Sequence, residues 1–145
     1  MVVDLKSISA RLDSLREYLA LLKEAQKMSL SAFKKDPKNH YTVERALQLA
    51  IECCHNIANH LISELDMERP DKYESVFEIL GKNDIIPAAF AKRLVLMARF
   101  RNLLVHEYTE IKLDRVYEIL KDDLGDFETF AKHIIRFLER EKGKK

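Results

Sequence analysis

Residues 101–108 read Arg-Asn-Leu-Leu-Val-His-Glu-Tyr and place an arginine, an asparagine, a histidine and a tyrosine at the end of an otherwise apolar helix. Arg101 is a permanent cation, His106 titrates near neutrality, Asn102 offers an amide and Tyr108 a phenol. That combination suits phosphodiester cleavage by a ribose 2′-hydroxyl. A histidine moves the proton, and an arginine neutralises charge building on phosphorus. The scheme calls for no metal and no cofactor. It does need both an acid and a base, and one chain supplies one motif histidine. A symmetric homodimer that faces two motifs across a cleft supplies both.

The element that positions them is a helix. Phe90, Leu94, Met97, Arg101, Leu104 and Tyr108 follow a 4-3-4-3-4 spacing, which marks one helical face. Arg101 therefore occupies a core position in the pattern. A guanidinium cannot be neutralised and is costly to bury alone, so either a carboxylate meets it or the face opens onto an anion-binding groove. Asn102 and His106 are four apart and share a face, about 100° from Arg101. Thr109 and Glu110 lead into a new segment, so His106 and Tyr108 fall where the helix ends, and the helix dipole there favours a protonated imidazole. A helix continuing to Tyr108 returns it to within about 20° of Arg101.

The rest of the chain reads as helices of the same kind. Leu5, Ile8, Leu12, Leu15, Leu19 and Leu22 form a near-heptad seam. Ser29 caps a short turn over residues 30–35, which Pro37 ends. Val43, Leu47, Ala50, Cys54, Ile57 and Leu61 give a second long seam, widened by Ile51, Ala58, Ile62 and Leu65. Pro70 closes that helix, residues 71–81 form a short third with Gly81 at its C-terminal cap, and Pro87 begins the motif helix. Residues 112–141 make a fifth through Leu113, Val116, Leu120, Leu124, Phe127, Phe130, Ile134 and Leu138, with Gly125 marking a bend. Short connections between long amphipathic helices predict an all-α antiparallel bundle of about five helices. Thirteen of the eighteen residues from Ala88 to Val105 are hydrophobic. Such excess on the motif helix predicts burial against a second subunit, hence a homodimer.

Composition sets the outer bounds. A chain of 145 residues fits one domain with a real core. Charged residues are 34% against about 25% in ordinary soluble domains, yet the net charge is only +1, so any RNA contact is local. The two cysteines, Cys53 and Cys54, are adjacent on a helix and diverge, which excludes a mutual disulfide. No leader-like stretch and no apolar run of membrane length occur, and the expectation is a reduced, cytoplasmic protein without a membrane role. No zinc spacing, phosphate-cradling glycine loop or Ser-His-Asp set is present.

The spacing Arg-x-x-x-x-His at the end of a late helix, extended by x-Tyr, resembles the signature of the HEPN superfamily, and within it of HepT-type toxins. The segment from Glu44 to Ile62 is similar to that family's second helix, and the likeness spans nearly the whole chain. The resemblance implies a helical bundle dimer and a metal-independent ribonuclease that leaves a 2′,3′-cyclic phosphate. It implies a minimal nucleotidyltransferase antitoxin as partner, which neutralises the toxin by transferring AMP to the motif tyrosine. Arg101 and His106 then match the catalytic pair, Asn102 the supporting polar residue and Tyr108 the AMP acceptor. A second reading stays open beside it: a non-catalytic helical adaptor that binds a minimal nucleotidyltransferase or a nucleotide. Each residue also has a plainer role. Arg101 pairs with a neighbouring carboxylate, His106 caps a helix, and Tyr108 buries its ring while its hydroxyl stays wet. His55 and His60 lack metal-ligand spacing, His60 reads as a surface pair with Glu64, Asn56 and Asn59 as helix-surface amides, and the cysteines as packing residues.

Overall fold

The computed structural model describes residues 3–106 and 111–143. Seven helices and no strand occur among them. They are α1 (Leu5–Ala25), α2 (Leu30–Lys35), α3 (Pro37–Glu64), α4 (Ser75–Lys82), α5 (Ala88–His106), α6 (Leu113–Asp122) and α7 (Gly125–Lys142). Five helices were expected. The short Ser29-capped turn is a true helix, its first N–H groups met by the Ser29 hydroxyl, which accepts from Ala32 N at 3.1 Å. Pro37 does more than end it, since it occupies the first turn of α3, where a missing N–H costs nothing. The expected fifth helix is broken into two. Gly125 does not bend its interior but opens α7, after a break at Asp123 and Leu124.

Two helix ends also differ from expectation, for one reason. α3 stops at Glu64, well before Pro70, because Asp66 adopts φ 53°. Met67 N then donates to Ile62 O at 2.9 Å and Asp66 N to Ser63 O at 3.3 Å, the paired bonds that terminate a helix with a left-handed residue. Asp84 (φ 57°) ends α4 in the same way, with Ile85 N on Leu80 O at 3.0 Å and Asp84 N on Gly81 O at 3.3 Å. Aspartate tolerates that conformation better than most side chains do. Gly81 is thus not the cap. It lies inside α4 where the helix presses on α5, and a Cβ there would meet Ala91 Cβ at 3.0 Å.

α3 is the axis of the bundle and touches each of the other six helices. Its predicted seam, Val43, Leu47, Ala50, Cys54, Ile57 and Leu61, is buried throughout. Ile8, Leu15, Leu19 and Leu22 of α1 cover one flank, and Phe127, Phe130 and Ile134 of α7 fill another. Leu12, Leu113 and Leu138 of the expected seams are only half-buried, and Leu5 is exposed. Tyr117 of α6 donates its hydroxyl to Met28 O at 2.8 Å, and Lys34 of α2 meets Asp114 at 2.9 Å. These contacts seat α6 against α2 and the loop before it. No helix among the described residues is long and apolar enough to cross a membrane.

Candidate functional site

Along α5 the stripe runs as its spacing predicts. Phe90, Leu94 and Met97 are buried, and the next position holds Arg101, whose side chain keeps 18% of its exposure. The charge is met by a carboxylate. Arg101 Nε donates to Glu52 Oε2 of α3 at 3.0 Å, and Nη2 forms an ion pair with the same oxygen at 2.9 Å. The same oxygen accepts from Gln48 Nε2 at 3.0 Å. Arg101 Nη1 donates to Asn102 Oδ1 at 3.1 Å, so the adjacent amide grips the other end of the fork. The guanidinium carbon lies 4.3 Å from the centre of the Tyr73 ring, and His55 stacks on Tyr73 at 3.8 Å with the rings 4° from parallel. Tyr73 is therefore sandwiched, and the cation sits on a flat aromatic floor.

This arrangement fixes the arginine without exhausting it. Of the five N–H bonds of a guanidinium, the hydrogen bonds named above use one on Nε and one on Nη1, so the terminal nitrogens keep N–H groups for an anion. The cluster is poorly solvated. Burial, then the Arg101 charge, pushes the His55 imidazole below its ordinary range and favours its neutral form. Burial pushes the Tyr73 hydroxyl well up, against the opposing pull of Arg101, and its oxygen is buried without a hydrogen-bond partner among the described residues. Removing one side of such a pair leaves the other half-buried and unmet. Glu52→Ala is expected to lower stability by about 2 kcal/mol, read from the urea midpoint.

His106 is the last residue of α5. Its ring is exposed and makes no hydrogen bond or ion pair among the described residues. Asn102, whose amide holds Arg101, lies one turn earlier on the same face. Tyr108 lies outside the described residues. Of the four motif residues, the structure joins Arg101 to Asn102 directly and places His106 on the helix that carries both.

The outward side of α5 presents Leu96 and Leu103, 61% and 40% exposed and seven residues apart. Two arginines near them are already engaged within the chain. Arg93 grips Asp126 through Nε at 3.1 Å and Nη2 at 2.9 Å, and Arg99 Nε reaches Glu74 at 2.8 Å.

The other residues weighed from the sequence lie on α3. His60 Nε2 lies 3.2 Å from Glu64 Oε1, within ion-pair reach though out of line for a hydrogen bond. Asn56 and Asn59 are exposed. Cys53 and Cys54 are free and buried, and burial raises both thiols. Among the described residues no group of three or more His, Cys, Asp or Glu side chains is placed to hold a metal ion. Sequence reasoning missed Glu52 and Tyr73, and His55 as anything but an unlikely ligand. The demand of Arg101 for a carboxylate was the available signal. Glu52 satisfies it from the polar face of α3, opposite the seam.

Residues 15–134 match the family described as ribonuclease HepT-like. The chain belongs to that family of RNA nucleases. It is 34% identical to the mRNA nuclease HepT of Shewanella oneidensis over 100 residues, 69% of this chain and 75% of that one. It is 28% identical to the tRNA nuclease HepT of Aphanizomenon flos-aquae over 131 residues, covering 90% of this chain and 89% of the relative. In structure it is similar to the tri-AMPylated Shewanella oneidensis HEPN toxin solved with its MNT antitoxin. That likeness has a TM-score of 0.83 and 28% identity, over 89% of this chain and 96% of that one. The resemblance carried by the motif is thus met by the whole fold.

Proposed function

We propose that the protein is a ribonuclease toxin that cleaves RNA by 2′-hydroxyl attack, without a metal ion, and that a minimal nucleotidyltransferase antitoxin silences it. The observation that carries this reading is Arg101, held at the edge of the core by Glu52, Asn102 and Tyr73 with N–H groups to spare, on the helix that ends at an exposed His106. A base removes the 2′-hydroxyl proton, and that oxygen attacks phosphorus. The P–O5′ bond breaks, and an acid protonates the departing 5′-oxygen. Products are a 2′,3′-cyclic phosphate and a 5′-hydroxyl. Arg101 neutralises the charge that builds on the phosphoryl oxygens, and His106 serves as acid or base.

A second copy supplies the second proton-transfer group. Leu96 and Leu103 offer an apolar contact to a homodimer through this side of α5, and the neighbouring Arg93 and Arg99 are already paired. Sedimentation at micromolar concentration should report a dimer, and a monomer would remove the shared-cleft arrangement. The antitoxin reading rests on the Shewanella toxin, which was solved tri-AMPylated and bound to its MNT partner. Tyr108 is the residue we propose as AMP acceptor here, and the cytoplasm is the setting both partners need.

The direct test is cleavage itself. Purified protein is incubated with RNA, with and without EDTA, and the product ends are mapped. Cyclic phosphate ends and full activity in chelator are expected. Loss of activity in EDTA, or equal cutting of DNA, overturns the mechanism. Binding of the nucleotidyltransferase with no cleavage of any RNA favours the adaptor reading instead.

A further inference from the structure

α3 turns its seam inward, and the opposite face carries a polar stripe. Tyr41, Arg45, Gln48, Glu52, Asn56 and Asn59 are spaced by three or four residues and fall on one side of the helix, centred opposite the buried seam. Glu52 is the member that holds Arg101. The stripe is therefore continuous with the proposed cleavage site.

Its N-terminal half has the composition of a nucleic-acid contact. Tyr41 is 66% exposed. Its ring is braced edge-on by His40 at 4.5 Å, and His40 is itself held by Glu44 at 3.0 Å. One turn on, Arg45 is exposed and has no ion pair or hydrogen bond among the described residues. This differs from Arg93, Arg99 and Arg101, each of which is met by a carboxylate. A braced, outward aromatic ring followed by an uncommitted guanidinium is the pairing that stacks a base and meets a phosphate.

The direction is also right. Arg101 meets Glu52, and Asp114, eight residues beyond His106, meets Lys34 just before α3 begins. Between Arg101 and Asp114 the chain therefore passes from the level of Glu52 to the α2 end of α3, the end that carries Tyr41. Tyr41 is eleven residues before Glu52, or about 16 Å along the helix, which places it a few nucleotides from a phosphate at Arg101.

From this placement we infer that the outward face of α3 is a binding track for single-stranded RNA, with Tyr41 stacking a base and Arg45 contacting a backbone phosphate beside the cleaved bond. The inference rests on the ribonuclease reading for the identity of the ligand. It makes the enzyme selective for strands long enough to reach from His106 to Tyr41.

Two measurements test it. In a His106→Ala background, a fluorescent single-stranded dodecanucleotide is titrated at several salt concentrations. Tyr41→Ala and Arg45→Gln should each weaken binding about tenfold, and Tyr41→Phe should keep most of the affinity. Arg45→Gln should also flatten the salt dependence by about one phosphate contact. With His106 intact, the preference for the dodecanucleotide over a dinucleotide should fall in Tyr41→Ala. If RNA is cleaved but neither affinity nor length preference responds, the track is wrong while the nuclease reading stands. If RNA is bound in a Tyr41-dependent way but never cut, the track stands and the nuclease reading fails. If the variants instead dissociate the protein from a second copy or from the nucleotidyltransferase, with RNA affinity unchanged, the face is a protein interface and the inference is overturned.

Discussion

His106→Ala is expected to remove RNA cleavage by a factor of about 10² to 10⁴, the range over which a positioned proton-transfer group acts. Stability should barely move. The imidazole is exposed, ends its helix and makes no hydrogen bond among the described residues, so its loss falls within about 0.5 kcal/mol. In a symmetric dimer the substitution strikes twice, because each half of the cleft loses its own histidine. Arg101→Lys should fail as well, for a different reason. An ammonium keeps the charge but cannot span Glu52 and Asn102 while offering N–H groups outward, as the planar fork does. The two variants are separable. Arg101→Lys should also lower the urea midpoint, and His106→Ala should not. Cleavage by purified His106→Ala within tenfold of wild type would exclude the histidine from the chemistry.

Tyr108→Phe is expected to leave the protein toxic in cells that also express the nucleotidyltransferase, while the wild-type chain is silenced and gains adenylate mass. The reasoning is one of tethering. Tyr108 follows His106 by two residues, a span of at most about 7 Å of chain, so an AMP on its hydroxyl cannot leave the neighbourhood of the imidazole. A short tether holds the group at an effective concentration near millimolar, enough to compete with weak RNA contacts. The added phosphate is an anion of the kind Arg101 is placed to receive, and the adenine is a base. The modified tyrosine becomes a captive substrate mimic, and silencing needs no lasting contact with the partner. Intact mass and growth together decide it. Neutralisation of Tyr108→Phe as fast as wild type, with no mass gain on the wild-type chain, removes the tyrosine from the regulation.

Periodicity made the bundle legible. The α3 seam is buried at every predicted position, and the α5 stripe leads to Arg101 as its spacing requires. What escaped were local stops and distant partners. Asp66 and Asp84 end helices in a conformation usually assigned to glycine, so Pro70 and Gly81 drew attention that belonged to them. Gly81 is a packing glycine, and its reason lies on α5 at Ala91, which no local pattern reveals. For the site, the sequence posed the question correctly, since a guanidinium in a core stripe demands a counter-charge. It did not say which carboxylate answers. Glu52 is forty-nine positions away, and it stands on the solvent side of its own helix, where acidic residues ordinarily need no explanation. Tyr73 was hidden for a related reason, because it precedes α4 and belongs to no seam.

The bond between Arg101 and Glu52 has a consequence in time. Its two halves are made at different stages of synthesis, and no local helix formation brings them together. A nascent chain that has closed α1 to α3 holds Glu52 against Gln48 alone, and α5 alone holds its arginine only against the neighbouring Asn102. The guanidinium acquires its full set of contacts only when α5 docks on α3, a closure across the forty-nine positions between Glu52 and Arg101. Fragments and unfinished chains therefore lack a poised site. Melting of the last turns of α5 would disarm the protein before the core gives way, which makes competence to cut a readout of folding completed rather than of helix present.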